Sequence, residues 1–214
     1  MIKRIGHLHV LTDETVQNRF SHLEIAERAI DGGADTIQFR EKRKGAGELI
    51  EIAGAIHRMC LERDVPLIVD DRVDVALAVD ADGVHLGRND LPIAVARELL
   101  GPDKIIGGTA STLEEAIAAQ NDGADYIGFG HLYPTTSKRK PGDPKGPEAL
   151  REICEALTIP VVAIGGIDTE NYRAVLNAGA WGFAVIASVC AAPDPARAAR
   201  TFREGIDEEF RRKS

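Results

Sequence analysis

Three polar side chains are spaced two residues apart between residues 36 and 42. Side chains alternate between the two faces of a strand, so Gln38, Arg40 and Lys42 share one face while Ile37 and Phe39 occupy the other. The apolar face suits packing against helices, and the polar face then lines a cavity. Two cations and an amide converging from one strand predict a pocket for a phosphate or diphosphate. The alternative is an edge strand whose polar face contacts solvent.

Two aspartates that follow neighbouring predicted strands are candidate ligands for a divalent cation. Asp71 ends the strand predicted from residue 66, and Asp90 follows the strand predicted from residue 83. Mg²⁺ is commonly held by one or two carboxylates together with phosphate oxygens. Beside the cationic strand, we favour a Mg²⁺ site over the alternative of helix caps or turn residues. Asp70 has the opposite parity and is either a supporting group or a surface residue.

Two further segments are typical of phosphate binding. Gly165 and Gly166 link an apolar run to a helical pattern, where glycines and a helix N-terminus let backbone amides contact an anion. The loop 132–146 is the longest connection and predicts a lid that closes on diphosphate. Its four cations are Lys138, Arg139, Lys140 and Lys145. The alternatives are an ordinary tight turn for the glycine pair and a solvated surface loop for the cationic segment.

The elements that would position these residues alternate between short apolar runs and helical patterns. Apolar spacings of three and four, as at Leu49, Ala53 and Ile56, predict helices between the runs. Eight such units predict a single-domain α/β fold, a parallel (β/α)₈ or TIM barrel, whose active sites lie at the carboxyl ends of strands. The predicted strands span residues 7–12, 36–42, 66–71, 83–87, 104–109, 126–131, 160–165 and 182–187.

The composition narrows the class of protein further. With 214 residues and a formal net charge of −8, the chain fits one domain and lacks the basic character typical of nucleic-acid binding. Cys60, Cys154 and Cys190 are far apart and indicate reduced thiols rather than a disulfide framework or a metal site. Because no segment has the apolar length of a membrane span or a signal core, we expect a cytoplasmic protein without membrane association. The phosphate-binding patterns above predict small phosphorylated substrates.

Five motifs, in order along nearly the whole chain, resemble thiamine phosphate synthases and the sister family of thiazole tautomerases. They are Gln38-Phe39-Arg40-Glu41-Lys42, Val69-Asp70-Asp71-Arg72-Val73-Asp74, Asp82-Gly83-Val84-His85-Leu86-Gly87, Tyr133-Pro134-Thr135-Thr136-Ser137-Lys138 and Ala163-Ile164-Gly165-Gly166-Ile167. The resemblance implies a transferase that joins hydroxymethylpyrimidine diphosphate to thiazole phosphate and releases diphosphate, with Mg²⁺ as cofactor. It implies a dissociative reaction and allows for a homo-oligomer.

The resemblance also implies roles for individual residues. Asp71 and Asp90 would hold Mg²⁺, and Lys42 and Lys138 would stabilise the departing diphosphate. Asp70 stands where many family members have asparagine. The residues implied to bind substrate are Gln38, Arg40, Lys42, Asp70, Thr109, Thr135, Ser137, Lys138, Gly166, Ile186 and Ala187, of which the last three match the site for the thiazole phosphate.

His131 supports an alternative activity. It stands where synthases usually have proline and where tautomerases can carry histidine, and imidazole can transfer protons near neutral pH. The alternative is a tautomerase that aromatises thiazole carboxylate phosphate with His131 as the catalytic residue. Parity places His131 with Phe129, away from the barrel interior, which favours a packing role instead. We favour the synthase, and we expect His7, His9 and His85 to pack in the barrel or lie on its surface.

Overall fold

The computed structural model describes residues 3–135 and 142–213, and its strands form one closed parallel barrel. The strands are β1 (Leu8–Thr12), β2 (Thr36–Phe39), β3 (Leu67–Asp70), β4 (Gly83–Leu86), β5 (Ile105–Ala110), β6 (Tyr126–Gly130), β7 (Val161–Ile164) and β8 (Gly182–Val185). Each strand pairs with the next along the chain, and β8 closes the ring by pairing with β1. The predicted (β/α)₈ barrel is therefore confirmed.

Helices follow the strands and pack around the barrel. They are α1 (His22–Asp31), α2 (Ala46–Glu62), α3 (Val73–Val79), α4 (Ile93–Leu100), α5 (Leu113–Asn121), α6 (Gly146–Ala156), α7 (Tyr172–Asn177), α8 (Ala187–Cys190) and α9 (Pro195–Lys213). Leu49, Ala53 and Ile56 of α2 are buried, as their spacing predicts. Within the two described ranges, no helix combines the length and the apolar character needed to cross a membrane.

Strand β2 shows how side-chain alternation divides the barrel wall. Ile37 and Phe39 are buried in the apolar layer between the barrel and the helices, whereas Gln38 lines a cavity inside the barrel. The ladder between β1 and β2 ends at Phe39, so the strand is shorter than the predicted segment. Arg40 and Lys42 therefore extend from the loop beyond the strand, at the face where active sites of this fold lie.

Glycines make room for two large polar rings in the barrel interior. A Cβ atom at Gly107 on β5 would lie 2.5 Å from both His85 Nδ1 and Tyr126 Cε1. A Cβ atom at Gly128 on β6 would lie 2.6 Å from His85 Cε1. Because non-bonded atoms do not approach so closely without displacement, the two rings keep their positions only with glycine at both sites.

We expect Gly107→Ala to destabilise the fold by roughly 1–3 kcal/mol, because the added methyl group overpacks the interior. Gly47→Ala is the control, since Gly47 lies in the first turn of α2 and the added Cβ would meet no atom within 4 Å apart from its neighbours along the helix backbone. There we expect a neutral effect or a gain of up to about 1 kcal/mol from helix propensity. Urea denaturation followed by circular dichroism measures both free energies of unfolding, and equal effects would contradict the packing assigned to Gly107.

Candidate active site

A cavity opens at the carboxyl ends of the strands and collects most of the predicted site residues. Lys42 and Asp90 lie at its edge, next to Asp71. Ser137 and Lys138 lie outside the described residues, so the roles of these two residues stay predictions. The predicted residues that line the cavity are Gln38, Arg40, Asp70, Asp71, Thr109, His131, Thr135, Gly166, Ile186 and Ala187.

Lys42, Asp71 and Asp90 form an ionic cluster at this edge, which we name the Asp71 cluster. Lys42 Nζ lies 2.5 Å from Asp71 Oδ2, and the carboxyl groups of Asp71 and Asp90 lie close enough for each to affect the ionisation of the other. Burial raises the pKa of Asp90 above its usual value, and the adjacent Asp71 carboxyl group raises it further. The cation and the two carboxylates that the sequence predicts to meet therefore do so, although they come from loops after β2, β3 and β4.

Main-chain contacts orient both carboxylates. Asp71 follows β3 in a left-handed conformation with φ of 63°, which is uncommon outside glycine but is tolerated by aspartate. Its N–H donates to the carbonyl of His85 at 2.9 Å, one step beyond the last paired residue of the strand. Asp90 Oδ2 accepts a hydrogen bond of 2.7 Å from the N–H of Gly87, which closes the turn after β4. The positions of the carboxylates thus follow from the backbone.

The donor set of the Asp71 cluster fits Mg²⁺. Two neighbouring carboxylates repel each other when both are ionised, and a divalent cation between them would remove that repulsion. Mg²⁺ takes one or two carboxylates and fills its remaining positions with water and phosphate oxygens. Asp71 and Asp90 would hold the ion, and Lys42 would then contact a phosphate instead of Asp71. Mg²⁺ binding itself stays a prediction.

Arg40 lines the cavity, and a buried carboxylate holds its guanidinium group. Its Nη1 forms an ion pair with the buried carboxylate of Asp13, just after β1, and its Nε is buried with no hydrogen-bond partner among the described residues. The N–H of Thr15 donates to Asp13 Oδ1 at 2.7 Å and fixes that carboxylate. The pairing orients the planar guanidinium group for an anion. Sequence reasoning missed Asp13, because its local pattern is that of a turn residue.

A second polar cluster joins the loops after β1 and β2. Carboxylate oxygens of Glu14 and Glu41 and a ring nitrogen of His22 lie within 4.8 Å of one another, a spacing that a metal ion can bridge. The cluster already contains cations, because Lys44 Nζ lies 3.8 Å from Glu14 Oε2 and Arg43 Nε lies 3.5 Å from Glu41 Oε1. Burial raises the pKa of Glu41, but hydrogen bonds from Arg43 and His22 outweigh that effect and lower it to about 2. We interpret the cluster as ion-paired support for the loop after β2.

The predicted phosphate site lies across the barrel from the Asp71 cluster, after β7 and β8. Gly165 and Gly166 adopt φ values of 101° and 67°, which glycine adopts without strain. They line the cavity together with Ile186, Ala187 and Ser188, the last of which has no role assigned from the sequence. The glycine turn and the first turn of α8 therefore border the same space, and their backbone amides are the candidate contacts for an anion.

The helix after the glycine turn begins later than expected. The segment from Gly165 to Asp168 is predicted to join β7 to a helix, which starts only at Tyr172, so the helix N-terminus does not adjoin the glycine pair. Asp168 caps the turn that precedes the helix, because its Oδ1 accepts hydrogen bonds from the N–H groups of Glu170 and Asn171, at 2.9 Å and 3.1 Å, and its carbonyl accepts one of 3.1 Å from the N–H of Tyr172. The amides available to an anion at this point are those of the loop itself.

His131 lies in the cavity wall, which corrects the expectation from parity. Strand β6 ends at Gly130, so regular alternation no longer sets the direction of the next side chain. The carbonyl of His131 accepts a hydrogen bond of 2.9 Å from the N–H of Lys145, and a Cβ atom at Gly165 would lie 2.7 Å from His131 Cα. The residue is thus packed between the loop before α6 and the glycine turn.

His85 is a cavity residue that sequence reasoning assigned to packing or to the surface. Its Nε2 lies 2.9 Å from Oγ1 of Thr109, a predicted substrate-binding residue, and its Nδ1 lies 3.0 Å from Oη of Tyr126. His85 and Tyr126 both line the cavity. The signal that places His85 inside is its alternation with the outward apolar residues Val84 and Leu86.

Comparisons with known proteins agree with this fold and site. A family model described as thiamine monophosphate synthase matches residues 8–189. A thiamine-phosphate synthase from Salinibacter ruber is 53% identical over 209 residues, which cover 98% of this chain and 92% of the relative. One from Methanospirillum hungatei is 47% identical and covers 92% of this chain and 96% of its own.

A solved structure of a thiamine phosphate pyrophosphorylase from Pyrococcus furiosus is also similar. It superposes with a TM-score of 0.87 at 44% identity and covers 94% of this chain and 96% of that one. A 3-hexulose-6-phosphate synthase, at 20% identity and a TM-score of 0.67, shares the fold alone. The chain belongs to the thiamine monophosphate synthase family.

We expect Asp90→Asn to raise the melting temperature at pH 7 without Mg²⁺ by roughly 1–3 °C, because it removes a partly buried charge beside Asp71. Mg²⁺ should raise the melting temperature of the unaltered protein but not that of the variant. Asp74→Asn is the control: an ion pair with Arg72 lowers the pKa of Asp74, so this variant should lose stability slightly and still respond to Mg²⁺. An identical Mg²⁺ response in Asp90→Asn would contradict the metal assignment.

Proposed function

We propose that the chain joins hydroxymethylpyrimidine diphosphate to thiazole phosphate and forms thiamine phosphate and diphosphate. The observation that carries this proposal is the presence of two anion-binding regions across one cavity. The Asp71 cluster and Arg40 lie on one side, and the turn of Gly165 and Gly166 with the start of α8 lies on the other. Two phosphorylated substrates can therefore bind with their reactive ends between these regions. The names of the relatives support the same reaction.

The cations at the cavity edge act on the bond that breaks. The carbon–oxygen bond of the pyrimidine substrate breaks with its electron pair going to diphosphate, and the thiazole nitrogen then donates its lone pair to that carbon. Because charge develops on the leaving oxygens, Lys42 and Arg40 stabilise the transition state more than the ground state. Asp71 and Asp90 would hold Mg²⁺, which would supply further stabilisation of the diphosphate charge. The new bond forms without removal of a proton.

The apolar part of the cavity keeps water away from the electron-poor carbon. Leu11, Val162 and Ala184 line it and are buried in a cluster inside the barrel. Water would otherwise compete with the thiazole nitrogen for the carbon that has lost diphosphate. Apolar walls at this position therefore favour transfer to the second substrate over hydrolysis.

His131 supports a second candidate activity, the aromatisation of thiazole carboxylate phosphate. Its side chain lines the cavity and packs against Gly165, beside the region that would bind a thiazole phosphate. An imidazole in this place has the reach to move a proton on the bound ring. This reaction needs no diphosphate leaving group, so it should not depend on Asp71, Asp90 or Mg²⁺.

Assays of both reactions on one preparation test the proposal. We expect Mg²⁺-dependent formation of thiamine phosphate and diphosphate, with a loss of roughly a hundredfold or more in kcat for Lys42→Ala, as for removal of a preorganised charge-stabilising group. Lys44→Ala is the matched control, because Lys44 pairs with Glu48 and Glu14 outside the cavity lining. Its activity should stay within about threefold of the unaltered protein.

Different results would contradict different parts of the proposal. Full activity of Lys42→Ala would contradict the role of Lys42, and turnover that does not need Mg²⁺ would contradict the role of the metal. The synthase assignment itself would be contradicted by efficient aromatisation of the thiazole carboxylate phosphate without pyrimidine substrate, lost in His131→Ala, from a preparation that forms no thiamine phosphate. That result would establish the tautomerase instead.

A further inference from the structure

A line of hydrogen bonds crosses the barrel interior beneath the cavity. His9 Nε2 lies 3.1 Å from the carbonyl oxygen of Gly6, and His9 Nδ1 lies 2.9 Å from the amide nitrogen of Gln38. The same amide nitrogen lies 3.3 Å from Tyr126 Oη. His9, Gln38 and Tyr126 are each at most 3% exposed, so these contacts are largely shielded from solvent.

The direction of each hydrogen bond follows from its partners. Burial lowers the pKa of His9 to about 4, against the opposing effects of the Asp35 carboxylate and the Gly6 carbonyl, so the ring is neutral at physiological pH. The Gly6 carbonyl can only accept, so Nε2 carries the single ring proton and donates it. Nδ1 is then a bare acceptor, and whatever faces it must donate.

This requirement fixes the side-chain amide of Gln38. Only the NH₂ group of a glutamine amide can donate, so it must face His9 Nδ1, and its second hydrogen is directed to Tyr126 Oη. The flipped amide would place Oε1 against the lone pair of Nδ1. Both amide hydrogens are therefore used inside the barrel, and Oε1 is the atom of Gln38 that a ligand can contact. Among the described residues, no donor is hydrogen-bonded to that oxygen.

We propose that His9 is a positioning residue that locks Gln38 as a hydrogen-bond acceptor, so that the cavity selects a ring substrate with an N–H donor, such as an amino group, over one with a carbonyl at the same place. The inference rests on the proposed function, because it specifies how the cavity recognises the heterocycle of one substrate. A pocket built to accept a hydrogen bond discriminates strongly, since a carbonyl there would leave two acceptors facing each other without a proton.

The first test is the tautomer of His9 in the unaltered protein, measured at pH 7 by ¹⁵N NMR of the histidine rings and assigned by loss of the signal in His9→Leu. We expect a protonated Nε2 and an unprotonated Nδ1. A proton on Nδ1, in either the other neutral tautomer or the imidazolium ion, would overturn the inference. This measurement does not depend on any substrate, so it separates failure of the inference from failure of the proposed function.

The second test measures dissociation constants for two probes, hydroxymethylpyrimidine diphosphates that carry either an amino or an oxo group on the ring. In the unaltered protein, we expect the amino compound to bind more tightly than the oxo compound. The ratio of the two affinities should fall about tenfold or more in His9→Leu, because the hydrogen bond that fixes Gln38 Oε1 as the acceptor is lost. His9→Asn has the shape of the leucine variant and offers Oδ1 where Nδ1 was, so it should retain more of the discrimination.

The two variants make the outcome decisive. Both lose the bond to Gly6, so an equal loss of affinity for both probes in both variants, with an unchanged ratio, would show a merely structural role for His9. Unaltered discrimination in His9→Leu would equally overturn the inference. If neither probe binds to the unaltered protein, the proposed function fails, and the ¹⁵N measurement still decides the state of His9.

Discussion

Two carboxylates held side by side with one lysine are the constraint on which the site depends. Asp71 and Asp90 repel each other when both are ionised, and the single charge of Lys42 relieves only part of that repulsion. Such a group is unfavourable by itself and becomes favourable when a cation of higher charge binds between the carboxylates. The same cation then attracts a diphosphate, toward which Lys42 is free to turn. Metal and leaving group are therefore expected to bind more tightly together than either does alone.

Closure of the barrel makes this arrangement possible. The Asp71 cluster is assembled from the loops after three consecutive strands, β2, β3 and β4, whose spacing is fixed by their ladders. The same ring of strands sets β7 and β8 on the opposite side, with the glycine turn and α8 at their ends. Polar side chains inside the barrel, among them Gln38 and His85, occupy the space between these two regions. Separate strands of the same barrel therefore contribute the two anion-binding regions and the side chains that contact the ring.

The strands and the polar residues at their ends were predictable, because side-chain alternation and turn chemistry are local properties. Gln38 faces the cavity as its parity indicates, even though β2 ends earlier than predicted. The partners of Arg40 and His85 were not predictable, since Asp13 and Tyr126 reach them only through the closed ladder. The direction predicted for the His131 side chain is wrong for a related reason. Once β6 ends, tertiary contacts rather than alternation orient the side chain. The lid over the cavity and the binding of Mg²⁺ stay predictions.

The most direct test is a calorimetric titration of the protein with Mg²⁺, in the absence and in the presence of inorganic diphosphate. The heats are corrected for the complex that Mg²⁺ and diphosphate form in solution without the protein. The account predicts that Mg²⁺ binds at least about tenfold more tightly with diphosphate, and that diphosphate gains the same factor from Mg²⁺, because linkage is reciprocal. The double variant Asp71→Asn/Asp90→Asn should lose this coupling. Equal Mg²⁺ affinity with and without diphosphate, or unchanged coupling in the double variant, would contradict the account.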